Sequence, residues 1–127
     1  MFENKYNISI WQGSTFNLSI TVQDNDGSNL DLNTFSARMQ IRPSYDSGSI
    51  AESLTSANGE ITITGNLGKL DLELPAERTS NIYVDLSSTT KPPKNTYVYD
   101  LELVDNSTNT VTKLMFGDAV VYGEVTR

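Results

Sequence analysis

The segment Tyr97-Val98-Tyr99-Asp100-Leu101-Glu102-Leu103-Val104 decides the fold, because apolar and polar residues alternate along it more strictly than elsewhere in the chain. Side chains of a β-strand point alternately to its two faces. Four bulky apolar residues therefore share one face: Tyr97, Tyr99, Leu101 and Leu103. Burying Tyr99 or either leucine is worth about 1.5–3 kcal/mol before the entropy of ordering is subtracted. With turn-forming residues on both sides, the segment predicts a central strand of an antiparallel sheet.

The composition favours β structure and excludes several kinds of active site. The 127 residues include six Tyr, four Phe and one Trp, and the mean hydropathy is −0.35. Because the sequence has no Cys and no His, a disulfide scaffold, a thiolate nucleophile, a Cys/His zinc site and a histidine general base are all excluded.

The charge and hydropathy limit the classes of partner. A formal net charge of −7 disfavours binding to nucleic acid and to anionic membranes. No apolar run approaches the roughly 18 residues of a membrane span, and the first residues lack a signal-peptide pattern. We therefore expect a soluble chain, made in the cytoplasm of its cell, with neither nucleic acid nor membrane as a partner.

Other segments repeat the alternation, and turn signals separate them every 8–12 residues or so. The predicted strands span residues 7–11, 15–22, 36–42, 50–55, 61–64, 69–74, 97–104, 110–116 and 119–125. Residues 75–82 predict one helix of about two turns, since proline suits the first helical position. The pattern indicates one all-β domain over residues 1–127, an immunoglobulin-like antiparallel β-sandwich with one short helix. Within these bounds, residues 1–6 are expected to form a flexible N-terminal arm.

Glycine and asparagine mark the expected turns. Residues 24–27 predict a tight turn with Gly27 at positive φ, and Asn58-Gly59 predicts a hairpin. Gly117-Asp118 is expected to bend or bulge the chain between the last two strands.

Two groups of acidic residues are candidate sites. Residues 24–31 contain three Asp and one Gly, but the spacing does not match a calcium-binding loop, so a plain turn is favoured. Asp100 and Glu102 share the outward face of the central strand, and paired carboxylates of this kind can carry out glycoside hydrolysis at the right separation. Ion pairing with the outward-facing Arg38 and Arg42 is the favoured interpretation.

Aromatic residues at strand ends provide the third candidate site, a carbohydrate-binding surface. The aromatic residues in question are Trp11, Tyr45, Tyr83 and Tyr122. Packing in the core or at sheet edges is the more frequent role of such residues. We therefore predict no catalytic, cofactor-binding or metal-binding residues and no cofactor.

The order of motifs over about residues 8–126 resembles small virion proteins of tailed bacteriophages, and most of all the immunoglobulin-like N-terminal domain of baseplate upper proteins. The resemblance is carried by Ile10-Trp11-Gln12-Gly13-Ser14-Thr15-Phe16, Leu18-Ser19-Ile20-Thr21, the turn at 24–27, Leu30-Asp31-Leu32, Ala37-Arg38-Met39-Gln40-Ile41-Arg42, Tyr97-Val98-Tyr99-Asp100-Leu101-Glu102-Leu103 and Gly123-Glu124-Val125-Thr126. Baseplate upper proteins continue into a stalk or receptor-binding region that this sequence lacks. The resemblance thus implies a stand-alone structural or accessory protein.

The expected function is that of a non-enzymatic virion component in the tail, baseplate or neck, which acts by docking to other virion proteins. Self-association within the particle is left open. The alternatives are a capsid decoration protein and a β-sandwich module that binds carbohydrate or a cell surface.

Overall fold

The computed structural model describes residues 4–127. They fold into two layers, each of which is a β-sheet. The strands are β1 Asn4–Lys5, β2 Ile8–Trp11, β3 Phe16–Thr21, β4 Phe35–Arg42, β5 Glu52–Thr55, β6 Ile61–Thr64, β7 Lys69–Leu74, β8 Lys94–Asp105 and β9 Thr110–Tyr122. A single-turn helix, α1, spans Ala76–Thr79, and a 3-10 turn spans Gly65–Leu67. The prediction of an all-β sandwich is confirmed.

The strand order is that of an immunoglobulin-like sandwich. One layer has the order β1-β9-β8-β4-β5, with β2 also paired to β9, and the other has the order β3-β7-β6. In immunoglobulin domains, strands B, E and D form one layer, opposite strands G, F, C and C′. Here β3, β7 and β6 occupy the B, E and D positions, and β9, β8, β4 and β5 occupy the others.

The alternating segment at residues 97–104 lies at the centre of the larger layer. Its strand, β8, pairs antiparallel with β4 on one side and with β9 on the other. All four predicted inward residues are buried, and Leu101 has no exposed surface. They belong to the same hydrophobic core as the leucines of β7 in the opposite layer, which also alternate along their strand. The period-two pattern thus builds both faces of one core.

The N-terminal residues differ from the predicted arm. Asn4 and Lys5 pair in parallel with Met115 and Phe116 of β9, and the Tyr6 N–H donates to the Phe116 carbonyl. Residues 1–3 of the predicted arm lie outside the described residues. The larger sheet is therefore mixed rather than purely antiparallel, because β1 and β2 run parallel to β9.

Gly117 permits this parallel pairing. A Cβ at this position would lie 2.5 Å from the Tyr6 carbonyl oxygen, so a larger residue would push the N-terminal strand away. The predicted bulge is not at Gly117-Asp118, because both residues pair in regular register with Tyr99 and Val98 inside the continuous strand β9. The bulge lies instead beside Leu114, between the pairs Leu101–Met115 and Glu102–Lys113.

Two local predictions are also corrected. The turn at Asn58-Gly59 is not a hairpin, since β5 pairs with β4 in one layer and β6 pairs with β7 in the other. Turn residues encode a chain reversal but not the sheet in which the next strand pairs. The helix is shorter than predicted, and Pro75 has the extended backbone of its N-cap.

A tyrosine near the start of β8 ties that strand to the connection before it. The Tyr97 hydroxyl donates to the Tyr83 carbonyl at 2.6 Å, in the position of the tyrosine corner of immunoglobulin-like domains. The alternation of β8 predicts that Tyr97 lies in the core, but it does not reveal this bond.

Replacing Tyr97 by Phe is expected to lower the free energy of unfolding by about 1 kcal/mol, because the ring stays buried while the Tyr83 carbonyl loses its donor. Urea unfolding followed by circular dichroism measures this change. Tyr83→Phe is the matched control. It changes an exposed side chain and leaves the backbone carbonyl of residue 83 to accept from Tyr97, so we expect a change in unfolding free energy below about 0.5 kcal/mol. Equal stabilities of Tyr97→Phe and the parent protein would contradict the assignment.

Candidate functional site

The outer face of the larger sheet forms a concave surface of about 370 Å³, here called the outer basin. Its surface is formed by residues that lie opposite one another on β5, β4 and β8. Arg38 of β4 lies between Thr55 and Glu102, and Gln40 lies between Ser53 and Asp100. The lining residues are Arg38, Gln40, Arg42, Tyr45, Ser53, Thr55, Val98, Tyr99, Asp100 and Glu102. The alternation that buries the core residues of β4 and β8 thus directs their polar residues into the basin.

The predicted ion pairs of the basin form in part. Arg38 Nε lies 2.8 Å from Glu102 Oε1, as expected. Asp100 pairs with Lys113 of β9 at 3.3 Å, and not with an arginine. The two carboxylates considered as a hydrolase pair therefore each lie beside a cation.

Arg42 holds the loop that carries Tyr45. Its guanidinium donates to the carbonyl oxygens of Ser47 and Ser49, and to Gln40 Oε1. These bonds join the loop between β4 and β5 to the basin. Tyr45 is 73% exposed, so its ring forms an accessible wall of the basin.

The four aromatic residues considered for carbohydrate binding do not form one platform. Trp11 stacks on Tyr122 with ring centroids 4.5 Å apart and an interplanar angle of 18°. This is the one contact between aromatic rings within residues 4–127, so Tyr45 and Tyr83 stand apart from the stack and from each other. Trp11 and Tyr122 are neighbours in the parallel β2–β9 pair, which the sequence pattern did not reveal.

A second concave surface, here called the edge groove, lies where the two layers separate. β3 is an edge strand, because β1 and β2 pair with β9 and so no described strand occupies the position beside it. The groove has a volume of about 620 Å³. Apolar residues of both layers line it: Leu18 and Ile20 from β3, and Leu114 and Met115 from β9.

Tyr99 anchors the wall of the edge groove opposite β3. Its buried hydroxyl donates to the Tyr6 carbonyl, which fixes the N-terminal strand to the sheet. Burial, with a smaller contribution from the neighbouring Tyr6, raises the pKa of Tyr99 to about 12.

Alkaline pH is therefore expected to destabilise the protein between about pH 10 and 12. In the unfolded chain Tyr99 ionises near pH 10, whereas in the folded protein its hydroxyl keeps the proton to higher pH. The unfolded state therefore binds fewer protons in this range, and the free energy of unfolding falls as pH rises. The slope from this group cannot exceed about 1.4 kcal/mol per pH unit. Urea unfolding at successive pH values measures it, and Tyr99→Phe is expected to flatten the slope. An equal slope in the variant and the parent would contradict this role.

The turn at residues 24–27 forms as predicted, with Gly27 at φ 88°. The Asp24 carboxylate accepts the backbone N–H groups of Asp26 and Ser28, so it completes the turn itself. Within residues 4–127, no three acidic side chains gather in an arrangement that would hold a metal ion.

A partly buried ion cluster is centred on Arg78, and the sequence did not predict it. The guanidinium binds both oxygens of Glu52, donates to Glu60 Oε2 at 2.7 Å and donates to the Ser53 carbonyl at 3.0 Å. It joins α1 to β5 and to the turn before β6. Partners 26 and 18 residues apart in the chain leave no local pattern, and so no sequence signal marks this cluster.

The protonation states of the cluster follow from its hydrogen bonds. Burial raises the pKa of Glu60, but the Thr55 N–H and the Arg78 guanidinium outweigh burial and lower that pKa overall. Hydrogen bonds to Glu52 and then to Glu60 raise the pKa of Arg78. The ion pair between Arg78 and Glu60 is thus charged near neutral pH, and the cluster acts as a structural clamp.

Compared with known proteins, the chain matches no protein-family model and no curated protein. In the described part of the chain, no helix has the length and apolar character needed to cross a bilayer.

Proposed function

We propose that this chain is a non-enzymatic structural component of a tailed-phage virion, placed in the tail, baseplate or neck, and that it acts by docking to other virion proteins. The resemblance of its motif order to small virion proteins supports the phage assignment. The observation that carries the docking mechanism is the unpaired edge of β3 beside a groove whose mixed lining includes apolar residues of both layers.

The edge groove fits an extended segment of a neighbouring virion protein. Alternate residues of an edge strand direct backbone N–H and C=O groups away from the sheet, and an added strand satisfies them. Every second side chain of such a strand would lie beside Leu18 and Ile20, on the same face of the sheet. We therefore expect apolar residues at alternate positions of the partner segment. The net charge of −7 favours a basic segment.

Mass spectrometry of purified particles tests the virion assignment. Particles from the lysate of cells that make this protein are banded by density and then analysed together with the soluble fraction. We expect the protein in the particle band at a fixed ratio to other virion proteins. Its presence in the soluble fraction alone would overturn the proposal. Immunogold labelling of the same particles separates the tail and neck from the capsid exterior, where a decoration protein would lie.

The docking surface is tested with a charged substitution in the edge groove. Leu18→Lys places an ammonium group among the apolar side chains that a partner strand would cover, and we expect incorporation into particles to fall at least tenfold. Leu67→Lys, at an exposed leucine of the 3-10 turn, is the matched control and should be incorporated normally. Thermal unfolding of both purified variants establishes that each is folded. Normal incorporation of a folded Leu18→Lys variant would exclude this groove as the docking surface.

A further inference from the structure

We propose that the outer basin binds a neutral saccharide, with Tyr45 as its stacking surface. This inference does not depend on the virion proposal, since it concerns a small ligand on the outer face and not a protein strand at β3. The basin volume of about 370 Å³ lies in the lower part of the range of roughly 300–1,000 Å³ for small-ligand sites.

The charges of the basin cancel, which argues against an ionic ligand. Its lining contains two guanidinium groups, from Arg38 and Arg42, and two carboxylates, from Asp100 and Glu102. The whole chain carries a charge of −7, so this balance is a local property of the basin. A concave surface without net charge offers no steering to an anion or a cation, and it is suited to a neutral, polar ligand.

The hydrogen-bonding groups of the basin are only partly used by the protein. Arg38 uses Nε for Glu102, and within residues 4–127 its two terminal nitrogens donate to no other group. Gln40 accepts from Arg42 through Oε1, which leaves its amide N–H groups as donors. Asp100 faces Lys113 with one oxygen, which leaves the other as an acceptor.

Donors and acceptors thus lie side by side on neighbouring strands, about 4.8 Å apart. Hydroxyl groups both donate and accept. A ligand with several adjacent hydroxyl groups therefore satisfies both kinds of group at once, whereas a carboxylate or phosphate would leave Asp100 and Glu102 facing a like charge.

Tyr45 supplies the apolar part of the recognition. The C–H groups of a sugar ring pack on an aromatic face, and the Tyr45 ring is accessible at the rim of the basin. The hydrogen bonds from Arg42 to Ser47 and Ser49 hold the loop in place before a ligand arrives. A preformed wall reduces the entropy lost on binding.

A glycan array probed with the labelled full chain tests this assignment. We expect binding to a subset of neutral oligosaccharides, and no preference for sialylated or sulfated ones. Isothermal titration with the strongest neutral glycan should then show about a tenfold weaker affinity for Tyr45→Ala. Gln40→Ala, which removes a donor from the floor of the basin, should also weaken binding.

Tyr83→Ala is the matched control, because Tyr83 is a second exposed tyrosine and lies outside the basin lining. Its affinity should equal that of the parent protein. Absence of binding to every glycan, a preference for anionic glycans, or equal affinities of Tyr45→Ala and the parent would each overturn the proposal. Loss of binding in Tyr83→Ala together with unchanged binding in Tyr45→Ala would move the site away from the outer basin and equally refute it.

Discussion

Replacing Leu101 by Ala is expected to lower the free energy of unfolding by about 3–4 kcal/mol. Leu101 lies at the centre of β8, its side chain has no exposed surface, and its neighbours across the sheet are Met39 and Met115. The substitution removes buried methyl groups and leaves a cavity that hydrogen-bonded strands on both sides cannot collapse. Urea unfolding followed by circular dichroism measures the loss.

Val111→Ala provides the matched control for this substitution. Val111 lies on the neighbouring strand β9 with about half of its side chain exposed, so the same kind of truncation should cost less than about 0.5 kcal/mol. Similar losses for the two variants would show that Leu101 is not at the centre of the core, and would contradict the strand order derived from its pairing.

The strands that sequence reasoning located best are those whose hydrophobic period is unbroken. The predicted bounds of β7 match the observed Lys69–Leu74, and β8 contains the whole predicted segment. In β7, and over residues 97–103 of β8, every second residue is buried, so one local pattern specifies the element, its face and its depth. The sandwich follows because each layer then has one apolar face to cover.

Pairing between distant segments was not predictable in the same way. β1 contains only Asn4 and Lys5, and it forms because Gly117 allows close approach to β9, a relation between residues more than 110 positions apart. The bulge beside Leu114 has a local signal, namely two consecutive apolar residues, Leu114 and Met115, both of which are buried. Gly117, two residues after Met115, is a common bulge residue but here pairs regularly with Tyr99.

The sequence predicts which residues of the candidate site face outward, but it does not predict that the surface they form is concave. Alternation places Arg38, Asp100 and Glu102 on the outer face and predicts ion pairing between them, but it does not predict which carboxylate Arg38 binds. The concave shape requires the loop with Tyr45, whose position depends on Arg42 bonding to backbone carbonyls within that loop. Bonds to carbonyl oxygens carry no residue-type signature, and so this part could not be inferred from the sequence.

The second large effect is expected on replacing Arg78 by Met, which should cost about 2–3 kcal/mol at pH 7. Glu52 and Glu60 are 14% and 13% exposed in their side chains and would lose their cation. Removing one partner of a buried ion pair costs about 3–5 kcal/mol, and the 32% exposure of the Arg78 side chain reduces that figure through solvent screening. Arg38→Met is the matched control. It breaks a single, more exposed pair, so its expected cost is below about 1 kcal/mol.

The pH dependence separates a charge effect at Arg78 from a loss of packing. In the parent protein the pKa of Glu60 is lower in the folded state than in the unfolded chain, where it is near 4.3–4.5. The resulting stability is fully present above the unfolded pKa and is lost as pH falls through the folded pKa. In Arg78→Met the carboxylates are buried without a cation, so protonation relieves them and acid favours the folded variant. The difference in unfolding free energy between the two proteins should therefore shrink as pH is lowered from 7 to 4, in urea titrations at each pH. A difference that stays constant over this range would mean that Arg78 stabilises the fold by packing alone, and would exclude the cluster as an electrostatic clamp between α1 and β5.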